Sequence, residues 1–382
     1  MLITGYPALG APRYFDDCTA ADSTVMLRLE ACTFSLQADG LDDKQRVQAL
    51  LNRARGYTAK FLPWNAKADL DQAQKIAPDD PAITAALADL SHLLLGRQQA
   101  AIAGYKQQAA QTGGDAATLT KLGMSYIMAN DFASAQKTLS EVLAKDPDNV
   151  EALIWRSTTY THSKQYDLSM ADLDRAVERQ PQNILARQWR AEVALYLGAF
   201  DKATGDLNLV LAARKRDSLH RFRGIAEYAS GGYSAAAADF ETDLDVDPVF
   251  ANLAIWQYFA QRRQGNDSTA ELLRIMGLLQ GEWPTPLFKY VLGQASADEA
   301  LAATDDLDPK LKQVRQSQAH SIIGEWLLMQ GHSADARVHF QSSNDIGVVV
   351  ADQAVREGRA VLPSDTVIEF ALARARLKEL SQ

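Results

Sequence analysis

Residues 116–149 read AATLTKLGMSYIMANDFASAQKTLSEVLAKDPDN. Leu119, Leu122, Gly123 and Tyr126 recur three or four apart, the spacing of one helix face. Asn130 and Asp131 break the run, and Phe132, Ala135, Leu139 and Val142 make a second face of the same kind. Pro147 punctuates the end, because proline cannot continue a helix and restrains the residue before it. The stretch is a helical hairpin too small to bury its own apolar faces. Where those faces go decides the fold.

Sliding the window by 34 residues answers this, since a fixed period of that size is the mark of stacked repeats. In 150–183, Tyr160 falls on Tyr126, Leu173 on Leu139, Ala176 on Val142 and Pro181 on Pro147. In 184–216, Gly198, Phe200, Ala203 and Leu207 keep register; in 217–250, Gly224, Gly231, Tyr233, Ala236, Phe240 and Pro248 restore the full pattern. Backwards, 82–115 carries Gly96, Ala101 and Tyr105, and 47–80 carries Leu50, Ala54, Tyr57, Ala66, Leu70, Ala73 and Pro78. Small residues stand where the two helices of a pair must touch, and larger ones fill the space between pairs. Each hairpin then buries its exposed face on the next.

Six units in one register, from 47 to 250, resemble the tetratricopeptide repeat family. The resemblance implies an all-α solenoid of helical hairpins wound into a right-handed superhelix, with a protein- or peptide-binding groove lined by the first helix of each pair. Residues 1–46 form a separate N-terminal segment with a fainter half-repeat at 25–36. From 251 to 382 the repeats degenerate. Gly265 and Ala270 keep place, Pro284 and Pro286 interrupt, and Ser296 with Glu299 make a capping box. Gly324, Gly331, Ala336 and Phe340 then restore a repeat from Gln318, residues 348–363 read as a connection, and a final helix over 365–380, capped at Ser364, closes the array. The order of Trp256 and Tyr258, then Trp283 to Gly293, then AHSIIGEWLLMQG and VIEFALARARL, resembles the end of NlpI-type repeat lipoproteins. That likeness implies a bacterial periplasmic scaffold holding a peptidase or cell-wall hydrolases. Cys18 follows Phe-Asp-Asp rather than a lipobox, so the lipid anchor of that family is not implied.

Composition bounds the rest. The net charge of −9 is spread along 382 residues, which argues against nucleic acid or an anionic membrane as partner. No run of eighteen apolar residues exists for a transmembrane helix. LITGYPALGA at the start reads either as the tail of a signal peptide or as an ordinary terminus. Cys18 and Cys32, fourteen apart, are either a disulfide stapling the first segment or two free thiols, and their spacing excludes a C-x2-C metal site.

No nucleophile, phosphate-loop or zinc motif occurs, and the six histidines are scattered, so neither catalysis, cofactor nor metal is expected. Arg214, Lys215, Arg216, Arg221 and Arg223 read as a solvated basic turn. The groove positions that the family resemblance implies include Ile83, Leu90, Leu93 and Leu94, then Met124, Ile127 and Met128, then Ile154, with Arg221, Arg262 and Arg263 further on. An exposed Leu/Met stripe marks a binding surface, and methionine adapts to varied partners. Its occupant is a partner's apolar segment, the chain's own terminal segments, or a second copy in a homodimer. The Lys/Asn/Arg carboxylate clamp of chaperone-binding relatives has no counterpart at Leu90, Leu94, Met124 or Met128. The sequence thus reads as a non-catalytic periplasmic adaptor for an envelope protein; the alternative is a cytoplasmic subunit that regulates an enzyme or assembles a complex.

Overall fold

The computed structural model describes residues 11–20, 24–37, 40–60, 62–213, 219–246, 251–306, 308–356 and 364–381. Every regular element among them is a helix, twenty in all, and none is long and apolar enough to cross a membrane. The chain forms two compact units, Met1–Ala110 and Gln111–Gln382. The first ten residues, Arg214 to Arg216, Pro248 and residues 357–363 lie outside the described residues.

In the first unit α1 (Ala11–Thr19) pairs with α2 (Val25–Gln37), and α3 (Asp43–Ala59) pairs with α4 (Pro63–Ile76). Cys18 and Cys32 are bonded across α1 and α2, both buried, with Cα atoms 4.7 Å apart. Asp42 and Gln45 form a capping box that starts α3, satisfying backbone donors the helix itself leaves open. Val47, Leu50, Leu51 and Ala54 of α3 meet Ala66, Leu70 and Ala73 of α4 in one core.

The next element corrects the sequence reading. Residues 82–115 do not form a hairpin; Pro81–Thr112 is one continuous helix of 32 residues, α5. The expected turn at Gly96 has no proline, Asn or Asp around it, and its flanks are rich in Leu, Gln and Ala, all strong helix formers.

The second unit begins with four hairpins. They are α6 (Ala116–Met128) with α7 (Phe132–Lys145), α8 (Val150–His162) with α9 (Tyr166–Arg179), α10 (Ile184–Leu197) with α11 (Phe200–Ala213), and α12 (His220–Ala229) with α13 (Tyr233–Val246). Local chemistry sets their ends. Asp115, Asn149 and Asn183 sit at the N-caps of α6, α8 and α10, and each accepts from a backbone N–H three residues on, at 2.9–3.0 Å. Small residues let the paired helices approach: a Cβ on Gly123 would stand 2.6 Å from the Leu139 side chain, and one on Gly224 would stand 2.7 Å from the Phe240 ring.

Beyond them come α14 (Leu253–Arg263), α15 (Thr269–Leu278) and two short helices, α16 (Thr285–Val291) and α17 (Ala297–Ala302). The latter starts at the capping box of Ser296 and Glu299. A long pair follows, α18 (Pro309–Met329) and α19 (Ser333–Arg356). Here too the sequence reading needs amending: α18 starts well before Gln318, and α19 runs through most of what reads as a connection. Gly324 opposes the Phe340 ring across this pair as Gly224 opposes Phe240. The last helix, α20 (Ser364–Glu379), packs on α18 and α19, and also on α10 and α12.

Candidate functional site

The first helices α6, α8, α10 and α12 pack in succession, so their common face is the candidate surface. Much of it is used internally. On α8, Ile154, Thr158, Thr161 and His162 are buried. The Thr161 and Ser169 hydroxyls are 2.8 Å apart, and Ser169 donates to the Ser157 carbonyl at 3.0 Å, tying α8 to α9. Thr158 and Thr161, which look available in sequence, donate to the Ile154 and Ser157 carbonyls at 3.4 and 2.9 Å.

From α10 onward, α20 covers the face. Phe370 lies against Tyr196 with ring centroids 4.9 Å apart. Arg374 stands over the same tyrosine ring at 5.2 Å and donates to the Tyr196 carbonyl at 3.0 Å. Ala371 and Leu372 enter the main core with Tyr228, Trp256, Phe259 and Ile322.

The residues expected along the groove therefore separate. Ile83 and Leu90 belong to the α3–α4–α5 core and are corrected to packing residues, because the first half of α5 needs them to seat on α3 and α4. Ile127 and Ile154 are buried between helices. Arg221 is buried and paired with Asp243 at 3.0 Å, and Arg263 reaches the buried Glu325 at 2.6 Å. Arg262 is exposed and stands over the Tyr258 and Trp326 rings at 5.6 and 5.5 Å. Leu93, Leu94 and Met124 are half-buried, and Met128 keeps 61% of its surface exposed. The accessible apolar part of the face in the second unit is thus on α6.

Burial perturbs His162 and Glu192 on this face in opposite directions. Burial pushes His162 down to about 4; its ring stacks on Phe132 at 3.7 Å, and its Nδ1 has no hydrogen-bond partner among the described residues. Burial pushes the Glu192 carboxyl the other way, up to about 7, against the hydrogen bond it receives from Gln188. For His162 the folded value lies below the ordinary 6.5, so from pH 6.5 down to about 4 the unfolded chain binds a proton that the folded chain does not. Stability is lost as pH falls through that window, by about 2–3 kcal/mol from this group. Urea midpoints at pH 7 and 4.5 will show a smaller drop for His162→Leu than for the wild type; equal drops would mean the imidazole is not held neutral.

Two sets of residues escape a reading of the apolar pattern. One is a recurring ion pair inside the hairpins: Arg53–Asp69, Arg156–Asp172, Arg190–Asp206 and Arg223–Asp239. Each arginine is sixteen residues before its aspartate, and each pair is bidentate at 2.6–2.8 Å. Aligning charges as well as apolar positions at the repeat period finds it. The other set centres on Glu325, whose partners are distant in sequence.

Residues 126–188 match the family described as the tetratricopeptide repeat. That stretch runs from α6 to the start of α10, so it takes in one whole hairpin, α8 with α9, and most of the one before it. Among solved structures, a tetratricopeptide repeat protein from Parabacteroides merdae ATCC 43184 is 14% identical, with 83% of this chain and 98% of that one covered and a TM-score of 0.37. PilF of Pseudomonas aeruginosa is 14% identical, covering 65% of this chain and 98% of its own, also at 0.37. The structure titled "MamA MSR-1 C2" is 24% identical over 41% of this chain and 91% of that one, at 0.36. Comparison with curated proteins gives no match. Among the described residues the fold is an all-α array of packed helical pairs.

Proposed function

We propose that this chain is a protein-interaction scaffold with no catalytic activity of its own, exported to a bacterial periplasm, where it recruits an envelope protein such as a peptidase or cell-wall hydrolase. The observation that carries the interaction reading is how the repeats treat their first-helix face. Over α10 and α12 that face accepts an amphipathic helix, the chain's own α20, through Phe370, Ala371 and Leu372. Over α6 the same face presents Met124 and Met128. A helix-in-groove partner uses anchors at such spacing, and methionine side chains repack to fit it. Export is supported by the Cys18–Cys32 bond, a pairing that persists in oxidising compartments, and by the likeness of the C-terminal sequence to periplasmic repeat lipoproteins.

The test is capture from an envelope extract by the wild type beside a Met124→Glu, Met128→Glu chain of unchanged helicity. Loss of a specific envelope enzyme, by tenfold or more, supports the reading. Identical capture by both chains removes α6 as the binding surface. Free thiols at both cysteines in protein from the native host would remove the export claim and favour the cytoplasmic subunit.

A further inference from the structure

Each hairpin of the second unit turns at a residue with positive φ. These are Asn130 at 58°, Lys164 at 58°, Gly198 at 74°, Gly231 at 83° and, between α18 and α19, Gly331 at 87°. Gly96 stands 34 residues before Asn130, in register with this series, yet lies inside α5. Nothing in the packing asks for glycine there: a Cβ on Gly96 would meet no atom within 4 Å, and the same holds for Gly104. Two glycines therefore weaken a 32-residue helix without admitting any neighbour. The length itself matches one repeat, since the paired helices elsewhere are mostly 13 or 14 residues each.

The two halves of α5 are also unequal. The first half buries Ile83 and Leu90 against α3 and α4. From Gly96 to Thr112 no described residue is buried, and Ile102, Tyr105 and Ala109 are only half-buried. At the places of Ala101, Tyr105 and Gln108, α7 buries Ala135, Leu139 and Val142, and α11 buries Ala203, Leu207 and Val210. Two features common among the other hairpins are missing here, although α6 and α7 pair without the first of them, having Leu122 and Thr138 at its places. The positions of the Arg–Asp pair are Ala88 and Gly104, and the small residue under the second helix, Gly123 in the next repeat, is Asp89.

We propose that α5 is a repeat with two forms: the continuous helix, and a hairpin in which residues 82–95 receive residues 98–110 across a turn at Gly96. Closing covers Ile102 and Tyr105, and places the absent clamp and Asp89 against it, so neither form is strongly preferred. Leu93 and Leu94 lie next to the turn, so a ligand on them that favours one form shifts the balance by its difference in affinity for the two.

Cross-linking tests this in the full chain, where Cys18 and Cys32 are already joined. Ala85→Cys and Ala109→Cys stand about 36 Å apart along a continuous helix and face each other in the hairpin. Under mild oxidation an intramolecular link is expected. Gly96→Ala, which favours the helix by the ordinary alanine preference, slows it about fivefold, and Ala88→Arg with Gly104→Asp, which installs the clamp of the other repeats, speeds it. Absence of an intramolecular link in every background, or links between chains only, overturns the proposal. A rate insensitive to both Gly96→Ala and the installed pair overturns it as well.

Discussion

The Glu325→Ala chain unfolds with about 3–5 kcal/mol less stability than the wild type, the range found when one member of a buried ion pair is removed. Glu325 is fully buried on α18 and joins three other helices. It accepts from the Tyr228 hydroxyl of α12 at 2.7 Å, from Arg263 of α14 at 2.6 Å, and from Arg376 of α20 at 2.8 and 3.2 Å. Burial pushes the carboxyl up, but Arg376 and Arg263 outweigh it and hold Glu325 below the usual carboxylate range. Removing the carboxylate leaves the buried Arg376 facing the Tyr228 ring at 5.5 Å, with the half-exposed Glu379, at 2.8 Å, as its counter-charge among the described residues. The loss comes from stranded charge rather than from a strong bond. Replacing the set together, with Glu325→Leu, Arg263→Met, Arg376→Met and Tyr228→Phe, therefore recovers most of it. Because the folded carboxyl is depressed, its contribution is present above about pH 4.5 and fades below it. Urea unfolding followed by Trp256, which sits against Tyr228 with centroids 5.6 Å apart, measures this directly. A midpoint unmoved at pH 7 would show that the network is hydrated rather than buried.

That hub also shows what sequence could and could not disclose. Its members lie 97, 62 and 51 residues from Glu325, and no periodic argument joins positions that far apart. The hairpins were legible because their determinants are local: Asx caps, turn residues and a small residue under each second helix all recur at one period. The Arg–Asp clamps recur too, but an apolar template passes over them. On the candidate surface the period correctly says which face a residue is on, yet not what already covers that face. Ile83 and Leu90 therefore looked like Met128 in sequence, although α3 and α4 cover the first two. Residues α20 covers were indistinguishable for the same reason. In α5 the template failed differently, because a glycine in turn register is permissive of a turn without compelling one.

The close approach that made the repeat readable is itself measurable at Gly224 and Phe240. Phe240→Ala should cost about 3–5 kcal/mol, since the ring is fully buried among α12, α13 and α14 and its loss leaves a cavity that helix packing closes only in part. Gly224→Ala should cost about 1–3 kcal/mol by itself, because its Cβ would lie 2.7 Å from one ring carbon and 2.9 Å from another, and the ring cannot retreat into a filled core. In the Phe240→Ala background the same substitution meets no ring. It then partly fills the void and adds the helix preference of alanine over glycine, about 1 kcal/mol. The effect of Gly224→Ala thus reverses sign between the two backgrounds, a coupling of at least about 2 kcal/mol for residues in contact. A double-mutant cycle by urea unfolding gives the number. If Gly224→Ala costs the same with and without the ring, the glycine is not there for the phenylalanine, and the equivalent pairs Gly123–Leu139 and Gly324–Phe340 lose the same explanation. If the sign reverses, the small residue beneath each second helix is a steric requirement of hairpin closure, one that Asp89, at the equivalent position of α5, does not meet.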